Sequence, residues 1–492
     1  MQGDSEVNGT NGHHLPVLTM DTVNPRVREM QYAVRGPIVV RATEIEKELK
    51  NGTKKPFTKV MKANIGDCHA TGQSPNTFLR QVIALCSYPP LLESSEFPKD
   101  AKSRARRILG GCRGGSVGSY SASAGVDPIR EDIANYISKR DGIPSKAEDV
   151  ILCTGASDGI KTILSMLMTG KDGKERAGIM IPVPQYPLYS ATLTEYNAFQ
   201  IRYYLNEENN WSLDLDELKR ALNSCRGECV PRAICVINPG NPTGQVLTKE
   251  NIQDVIRFAS DNHLMILADE VYQHNIYAKG SAFFSFKKVL TEMGPLYNKV
   301  ELASFMSASK GYLGECGFRG GYFEVINMLP DVKACLLKSI SAKLCPPILG
   351  QAVMSVVSNF PTLDEPSGAL YAKEKEEVLA GLARKARMVT DLFNSIEGIK
   401  CNEVQGAMYS FPRIFLPDKA VEEAKRRGQT PDSFYCFQLL EETGICTVPG
   451  SGFGEKEGTY HLRMTILPPE GEIKDVLGLF KEFHTKFIKK YQ

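Results

Sequence analysis

Lys310 stands in the segment SFMSASKGYLGECGFRGGY, Ser304 to Tyr322, with Ser307 and Ser309 before it, Arg319 after it and glycines packed around it. Hydroxyls and a guanidinium are the donors a phosphate needs. A lysine at the end of a buried strand also loses water, which is expected to lower its pKa toward the neutral amine that forms a Schiff base. A solvated surface lysine is the bland alternative, and it suits an isolated Lys better than one in this company. Three further segments carry polar groups next to apolar runs. INPGNPTGQ, Ile237 to Gln245, presents Asn238 and Asn241 among turn-forming Pro and Gly, and ILADEVY places Asp269 and Tyr272 after a buried run. Asp269 has no obvious local cation, so it calls for a partner such as a protonated ring nitrogen; a helix N-cap is its ordinary reading. In CTGASDG, Cys153 to Gly159, a strand passes through Gly155 into a helix expected near Ala156, whose free N–H groups and the Ser157 hydroxyl would hold an anion. Each signal is weak alone; four polar strand ends converging on one crevice make the argument.

The elements that must bring them together are legible as pattern. VILC (Val150 to Cys153), GIMIPV (Gly178 to Val183), AICVIN (Ala233 to Asn238), LMILAD (Leu264 to Asp269) and ELASF (Glu301 to Phe305) are β-rich and not alternating, as strands buried on both faces should be. Helical patterns lie between them, one starting at Asp214 with Glu217 as a capping box and one at Thr248, so the stretch from Val150 to Tyr322 reads as βαβ units around a largely parallel sheet. After Phe360 a long amphipathic helix runs through Val378, Leu382, Ala386, Val389 and Phe393, followed by short strands near Ala407 to Phe411 and His461 to Ile466 and a last helix from Ile473 to Lys489. That end reads as a smaller α+β domain, which the segment with the helix near Ile38 to Lys50 is expected to complete. The division is a polar, flexible head over 1–17, an N-terminal arm with part of the smaller domain over 18–115, a large domain over 116–358 and the C-terminal smaller domain over 359–492.

Composition narrows the function. The chain of 492 residues carries 59 Lys and Arg against 57 Asp and Glu, a formal charge of +2, too weak a field to draw nucleic acid or an anionic membrane. Its 13 cysteines form no dense framework and fit a reducing compartment, with Cys225 and Cys229 lacking the second Cys/His pair a zinc site needs. The seven histidines form no metal pattern, and neither GGSVG (Gly114 to Gly118) nor GSGFG (Gly450 to Gly454) has the spacing of a dinucleotide loop. The opening MQGDSEVNGTNGHH, with Asp4 and Glu6 and no Arg, reads as neither a secretory signal nor a transit peptide, so the sequons at Asn8 and Asn51 are read as chance. The cytoplasm is the expected location, with the mitochondrion as the alternative if a leader is missing from this chain.

The four segments in this order resemble a fold-type I, class I/II pyridoxal-phosphate-dependent aminotransferase, and the likeness covers most of the chain. PVPQYPLYSAT, NPGNPTG, SASK with a following Arg and HLRMTILPP resemble the members acting on alanine more than those acting on aspartate or aromatic amino acids. The resemblance implies an α/β fold, pyridoxal 5′-phosphate as cofactor, and reversible transfer of the amino group of L-alanine to 2-oxoglutarate, giving pyruvate and L-glutamate. Carried to this sequence, it makes Lys310 the residue that holds the cofactor and moves the proton at substrate Cα, and pairs Asp269 with the pyridinium nitrogen. It gives Asn241 and Tyr272 the ring's phenolic oxygen, Tyr186 the stacking face, and Ala156, Ser157, Ser307 and Arg319 the phosphate. Tyr120 would reach the phosphate from a neighbouring copy, implying a homodimer with shared active sites. Arg463 would grip the substrate α-carboxylate, with Gly36 and Gly66 closing over it. Arg319 lies nine positions after Lys310, one more than the family spacing. An elimination lyase of the aminocyclopropane-carboxylate synthase kind on the same scaffold is the alternative, because these residues alone do not set which Cα bond breaks.

Overall fold

A computed structural model describes residues 16–492; residues 1–15 of the expected polar head, with the Asn8 sequon, lie outside them. The centre is a seven-stranded sheet. Its strands are β1 (Val150–Thr154), β2 (Ala177–Val183), β3 (Phe199–Tyr204), β4 (Val230–Ile237), β5 (Met265–Asp269), β6 (Leu302–Ser307) and β7 (Gly320–Ile326). The spatial order is β1-β7-β6-β5-β4-β2-β3, parallel except where β7 runs antiparallel to both β1 and β6. The mostly parallel α/β architecture expected from the apolar runs is therefore present.

Both faces of the sheet are buried. In β4, Ala233, Cys235 and Ile237 enter one apolar cluster and Ile234 and Val236 another; in β2, Ile179 and Ile181 part from Met180 in the same way. Side chains alternate across a strand, so a strand with helices on both faces has to be apolar at every position. Exposed positions occur at the start of β4, at Val230 and Arg232, and on β3 at the sheet edge, where Arg202 is exposed between buried Ile201 and Tyr203.

Two expectations are corrected. Asp214 does cap the helix Leu215–Ser224, accepting from the Asp216 N–H at 2.8 Å. Glu217 does not close the box; it accepts from the Tyr204 N–H at 2.9 Å and pairs with Arg220, because its helix packs against β3. The segment 18–115 is not one piece. Its first part joins the C-terminal unit, where Met61–Lys62 pairs in parallel with Ile445–Cys446 and Ile45 enters the same core as Leu439 and Leu440. Its second part, helices Thr77–Ser87 and Lys99–Gly111, packs with Asp127–Asp141 and Ile348–Ser358 against the large sheet's β1 edge, since Phe78, Val82, Ala105 and Ile108 share a core with Ile133, Val353 and Leu152. The C-terminal unit is built on the 27-residue helix Gly368–Asn394, the helix Glu470–Tyr491, and a sheet of β8 (Tyr409–Ser410), β9 (Val448–Pro449) and β10 (Leu462–Thr465), with β10 in the middle. No helix among the described residues is long and apolar enough to cross a membrane.

Candidate active site

A cavity of about 420 Å³ opens at the carboxyl ends of the parallel strands, where loops leaving β1, β4, β5 and β6 meet the C-terminal unit. Its wall brings together Ala156, Ser157, Tyr186, Asn241, Asp269, Tyr272, Ser307, Lys310, Arg319, Arg463 and Gly66, drawn from segments as far apart as Gly66 and Arg463. Two expected residues are not on it. Gly36 caps the helix Pro37–Lys50, where an added Cβ would meet the Ala33 carbonyl at 3.0 Å rather than anything in the cleft. Tyr120 is 65 % exposed and lines no part of this chain's own cavity.

Lys310 follows β6 directly, and its Nζ donates to the Gly66 carbonyl at 3.3 Å and lies 5.8 Å from the Tyr272 ring. The Gly311 N–H and carbonyl are both bound by the buried Asn275 side chain, at 3.0 and 3.3 Å, which fixes the turn carrying the amine. The expected downward pKa shift is corrected. Burial does push the lysine down, but Tyr409, with the Cys316 and Cys68 thiols, outweighs it and the net direction is up. Burial likewise opposes ionisation of Tyr409, yet the cations of Lys310 and Arg463 bring its pKa below the usual phenol value.

Asp269 ends β5 and no helix follows it, so the N-cap reading falls away. Burial raises its pKa to about 6 against the pull of the Tyr189 hydroxyl, which donates to its Oδ2 at 3.0 Å. Its Oδ1 is buried and has no hydrogen-bond partner among the described residues. Arg319 sits at φ 56°, a left-handed conformation, and its guanidinium reaches the Ser157 Oγ at 3.2 Å and the Cys316 carbonyl at 3.1 Å. It lies against Gly155, where an added Cβ would come within 2.3 Å of its Nη2. Gly155 itself holds φ 74° and opens the helix Ala156–Leu167, whose first N–H groups face the same corner. Ser307 Oγ accepts from the Ser309 N–H at 3.1 Å, while the buried Ser309 Oγ is unpaired among the described residues.

Arg463 is 1 % exposed, in the middle of the β10 strand. Its guanidinium is held between the rings of Tyr409 at 4.1 Å and Phe453 at 4.8 Å and donates to Asn241 Oδ1 at 3.2 Å and the Asn64 carbonyl at 2.9 Å. None of these partners is a carboxylate, and Nε has no partner among the described residues. A buried cation without an anion is costly, so the site is made for one. Tyr32, whose hydroxyl meets that of Tyr186 at 2.7 Å, Asn64 and Tyr409 line the cleft and carry no local sequence signal, and Tyr189 stands behind it, reaching it only through Asp269.

Residues 80–478 match the family model for aminotransferase class I and II. The chain belongs to the class I and II aminotransferases, whose cofactor is pyridoxal phosphate and whose substrates are small molecules. It is 59 % identical to alanine aminotransferase 2-like of Danio rerio over 100 % of this chain and 90 % of the relative. It is 58 % identical to alanine aminotransferase 1 of Homo sapiens over 99 % of each. An alanine aminotransferase from Pyrococcus furiosus, 22 % identical, superposes with a TM-score of 0.74 over 94 % of this chain and 99 % of that one, a likeness of fold.

The cleft fits that cofactor. A corner of hydrogen-bond donors at Ser157 and Arg319, an amine at Lys310 and an orphaned buried carboxylate oxygen on Asp269 are three chemically distinct features, and a phosphorylated pyridine aldehyde would match all three.

Proposed function

We propose that the protein transfers the amino group of L-alanine to 2-oxoglutarate, reversibly, giving pyruvate and L-glutamate in two half-reactions. The observation that carries this is the pairing in one cavity of Lys310 with a buried Arg463 that no carboxylate neutralises, in a chain 58 % identical to alanine aminotransferase 1 of Homo sapiens. Pyridoxal phosphate when bound supplies an aldehyde that takes up an amino group and a ring that draws off the electrons left at Cα.

The chain's own residues do the rest. Arg463 binds the α-carboxylate common to all four substrates through two parallel N–H donors, fixing where Cα lies. Lys310 Nζ takes the proton from Cα and returns it on the far side of the exchange, and the tightly bound turn at Gly311 keeps that amine in reach. The Asp269 carboxylate accepts from the ring N–H and keeps that proton in place, with Tyr189 steadying the carboxylate. Ser157, Ser307, Arg319 and the Ala156 N–H would hold the phosphate, Asn241 and Tyr272 the phenolic oxygen, and Tyr186 would stack on the ring. Gly66 keeps the cleft open beside Lys310, since a Cβ there would strike the Tyr409 hydroxyl at 2.0 Å. The working unit is a homodimer in which the exposed Tyr120 crosses to the second copy's cleft, and the compartment is the cytoplasm, supported by thirteen free thiols.

Absorption spectroscopy of the purified protein tests this. A visible band that shifts to shorter wavelength on adding L-alanine and returns with 2-oxoglutarate is expected. A band that ignores alanine and answers another amino acid overturns the substrate, and no band after pyridoxal phosphate is supplied overturns the enzyme reading.

A further inference from the structure

His461 precedes Arg463 by two residues on the same strand edge and is 2 % exposed, yet it lies outside the cofactor cleft. It borders a second cavity of about 800 Å³, whose wall includes Glu207, Trp211, Phe411, Arg413 and Glu455. Its Nε2 meets Glu207 Oε1 at 3.0 Å, across from the large sheet, and its Nδ1 lies 3.9 Å from Glu455 Oε1. The ring stacks flat on Phe411 at 4.8 Å and meets the edge of Trp211 at 5.5 Å. Phe411 in turn meets Phe453 at 5.8 Å, and Phe453 is one of the rings that grip the Arg463 guanidinium. An unbroken series of contacts thus runs from Glu207 through His461, Phe411 and Phe453 to Arg463.

We propose that His461 is a positioning residue for Arg463: its bond to Glu207, made across the junction of the large sheet and the C-terminal unit, sets the register of the strand and rings that hold the substrate-binding guanidinium. The inference rests on the reading of Arg463 as the carboxylate site. Because the bond is strongest when the imidazole is charged, substrate affinity follows His461's proton. The groups facing it are Glu207, Glu455, Arg413, which lies 3.5 Å from Glu207, and beyond Glu455 the buried Asp432. Burial lowers the His461 pKa, but the two glutamates outweigh it and the net direction is up, while Glu455 is raised to about 7 by burial. A histidine raised in this way keeps its bond at low pH and loses it as pH rises through its own pKa. The affinity for carboxylates therefore falls in that direction.

Trp211 is the single tryptophan of the chain and reports on its neighbour's charge. In the holoenzyme its emission is followed from about pH 5.5 to about pH 9. It should fall as His461 gains its proton, titrate at lower pH in E207Q, and lose its His461 step in H461Q, where only the step of Glu455 is left. The KM for L-alanine in H461Q, taken as a ratio to wild type at each pH so that ionisation of the amino acid cancels, should be raised about 3- to 10-fold at low pH and approach unity at high pH, with kcat within about twofold. An unchanged Trp211 titration in H461Q, or a KM ratio that does not vary with pH, overturns the proposal; a merely structural histidine gives the latter. E207Q carries the test if H461Q does not fold. Arg463→Lys separates the two claims: an unchanged KM there removes the carboxylate reading, whereas a raised KM with H461Q indistinguishable from wild type removes only His461.

Discussion

On one wall of the cleft, parallel strands of the large sheet run out at Thr154, Ile237, Asp269 and Ser307, and the residues just beyond them supply the phosphate corner, Asn241 and Lys310. On the other wall, Arg463 and Tyr409 sit in strands of four and two residues, held by side-chain rings and by carbonyls from distant segments. The first wall is placed by backbone ladders whose register allows little shift. The second rests on short ladders of two residues each and on side-chain packing between two units of the fold, so fewer backbone bonds fix its place. The difference assigns rate to the sheet wall and affinity to the other.

The largest effect should come from the sheet wall. Lys310→Ala should lower kcat about 10³- to 10⁴-fold or more while circular dichroism and pyridoxal-phosphate retention change little, if the amine moves the Cα proton as proposed. Near-normal turnover would remove it from the chemistry. Asp269→Asn should lower kcat about a hundredfold with little change in the KM for alanine, because in the proposed role the carboxylate keeps the ring nitrogen's proton in place and does not touch the substrate carboxylate. A rise in KM alone would erase the contrast between the two walls.

Arg463→Leu tests the opposite wall. Removing one partner of a buried charge pair should raise the KM for alanine and for 2-oxoglutarate together, by about a hundredfold, with a smaller change in kcat. Steady-state kinetics in both directions decides it. If only one of the two substrates weakens, the guanidinium serves a side chain rather than the shared α-carboxylate.

The same division explains what the sequence made legible. Strands buried on both faces have to be apolar throughout, and their polar endings stand out, so Lys310, Asp269, Asn241 and Ser157 could be found by eye. Arg463 was visible for a related reason, as a charge inside LRMTIL. Tyr189, Tyr32, Asn64 and Tyr409 were not, because a tyrosine in a helix or a two-residue strand looks the same whether or not a cleft lies beside it. Within 18–115 the helices carry apolar faces that announce burial but not against what, and they divide between the two units. Gly36 fell outside the cleft because a glycine before Pro37 marks a helix start as readily as a binding turn.

The smallest effect belongs to a residue that acts only through another. Tyr189 is fully buried and donates to Asp269 Oδ2 at 3.0 Å, a bond that lowers the aspartate's pKa against burial. In the cofactor-free protein, Asp269 titrates at about 6 rather than at its ordinary 3.8. An acid whose folded pKa lies above its unfolded value favours the folded state at low pH, and that contribution is lost as pH rises from the unfolded value through the folded one. Tyr189→Phe removes the donor, so the folded pKa moves further up and the loss should extend above pH 6, whereas Asp269→Asn should abolish this component altogether. Glu270 beside it, raised to about 7 by burial, titrates in all three proteins and cancels in the differences. Thermal unfolding of the cofactor-free wild type and both variants across this range reads the effect, and kcat of the loaded Tyr189→Phe enzyme should fall only about 3- to 10-fold, the net scale of one ordinary hydrogen bond, since the carboxylate itself stays in place. Superposable unfolding curves for wild type and Tyr189→Phe would show that the sheet wall holds its carboxylate by backbone alone, and would leave the contrast between the walls sharper than drawn here.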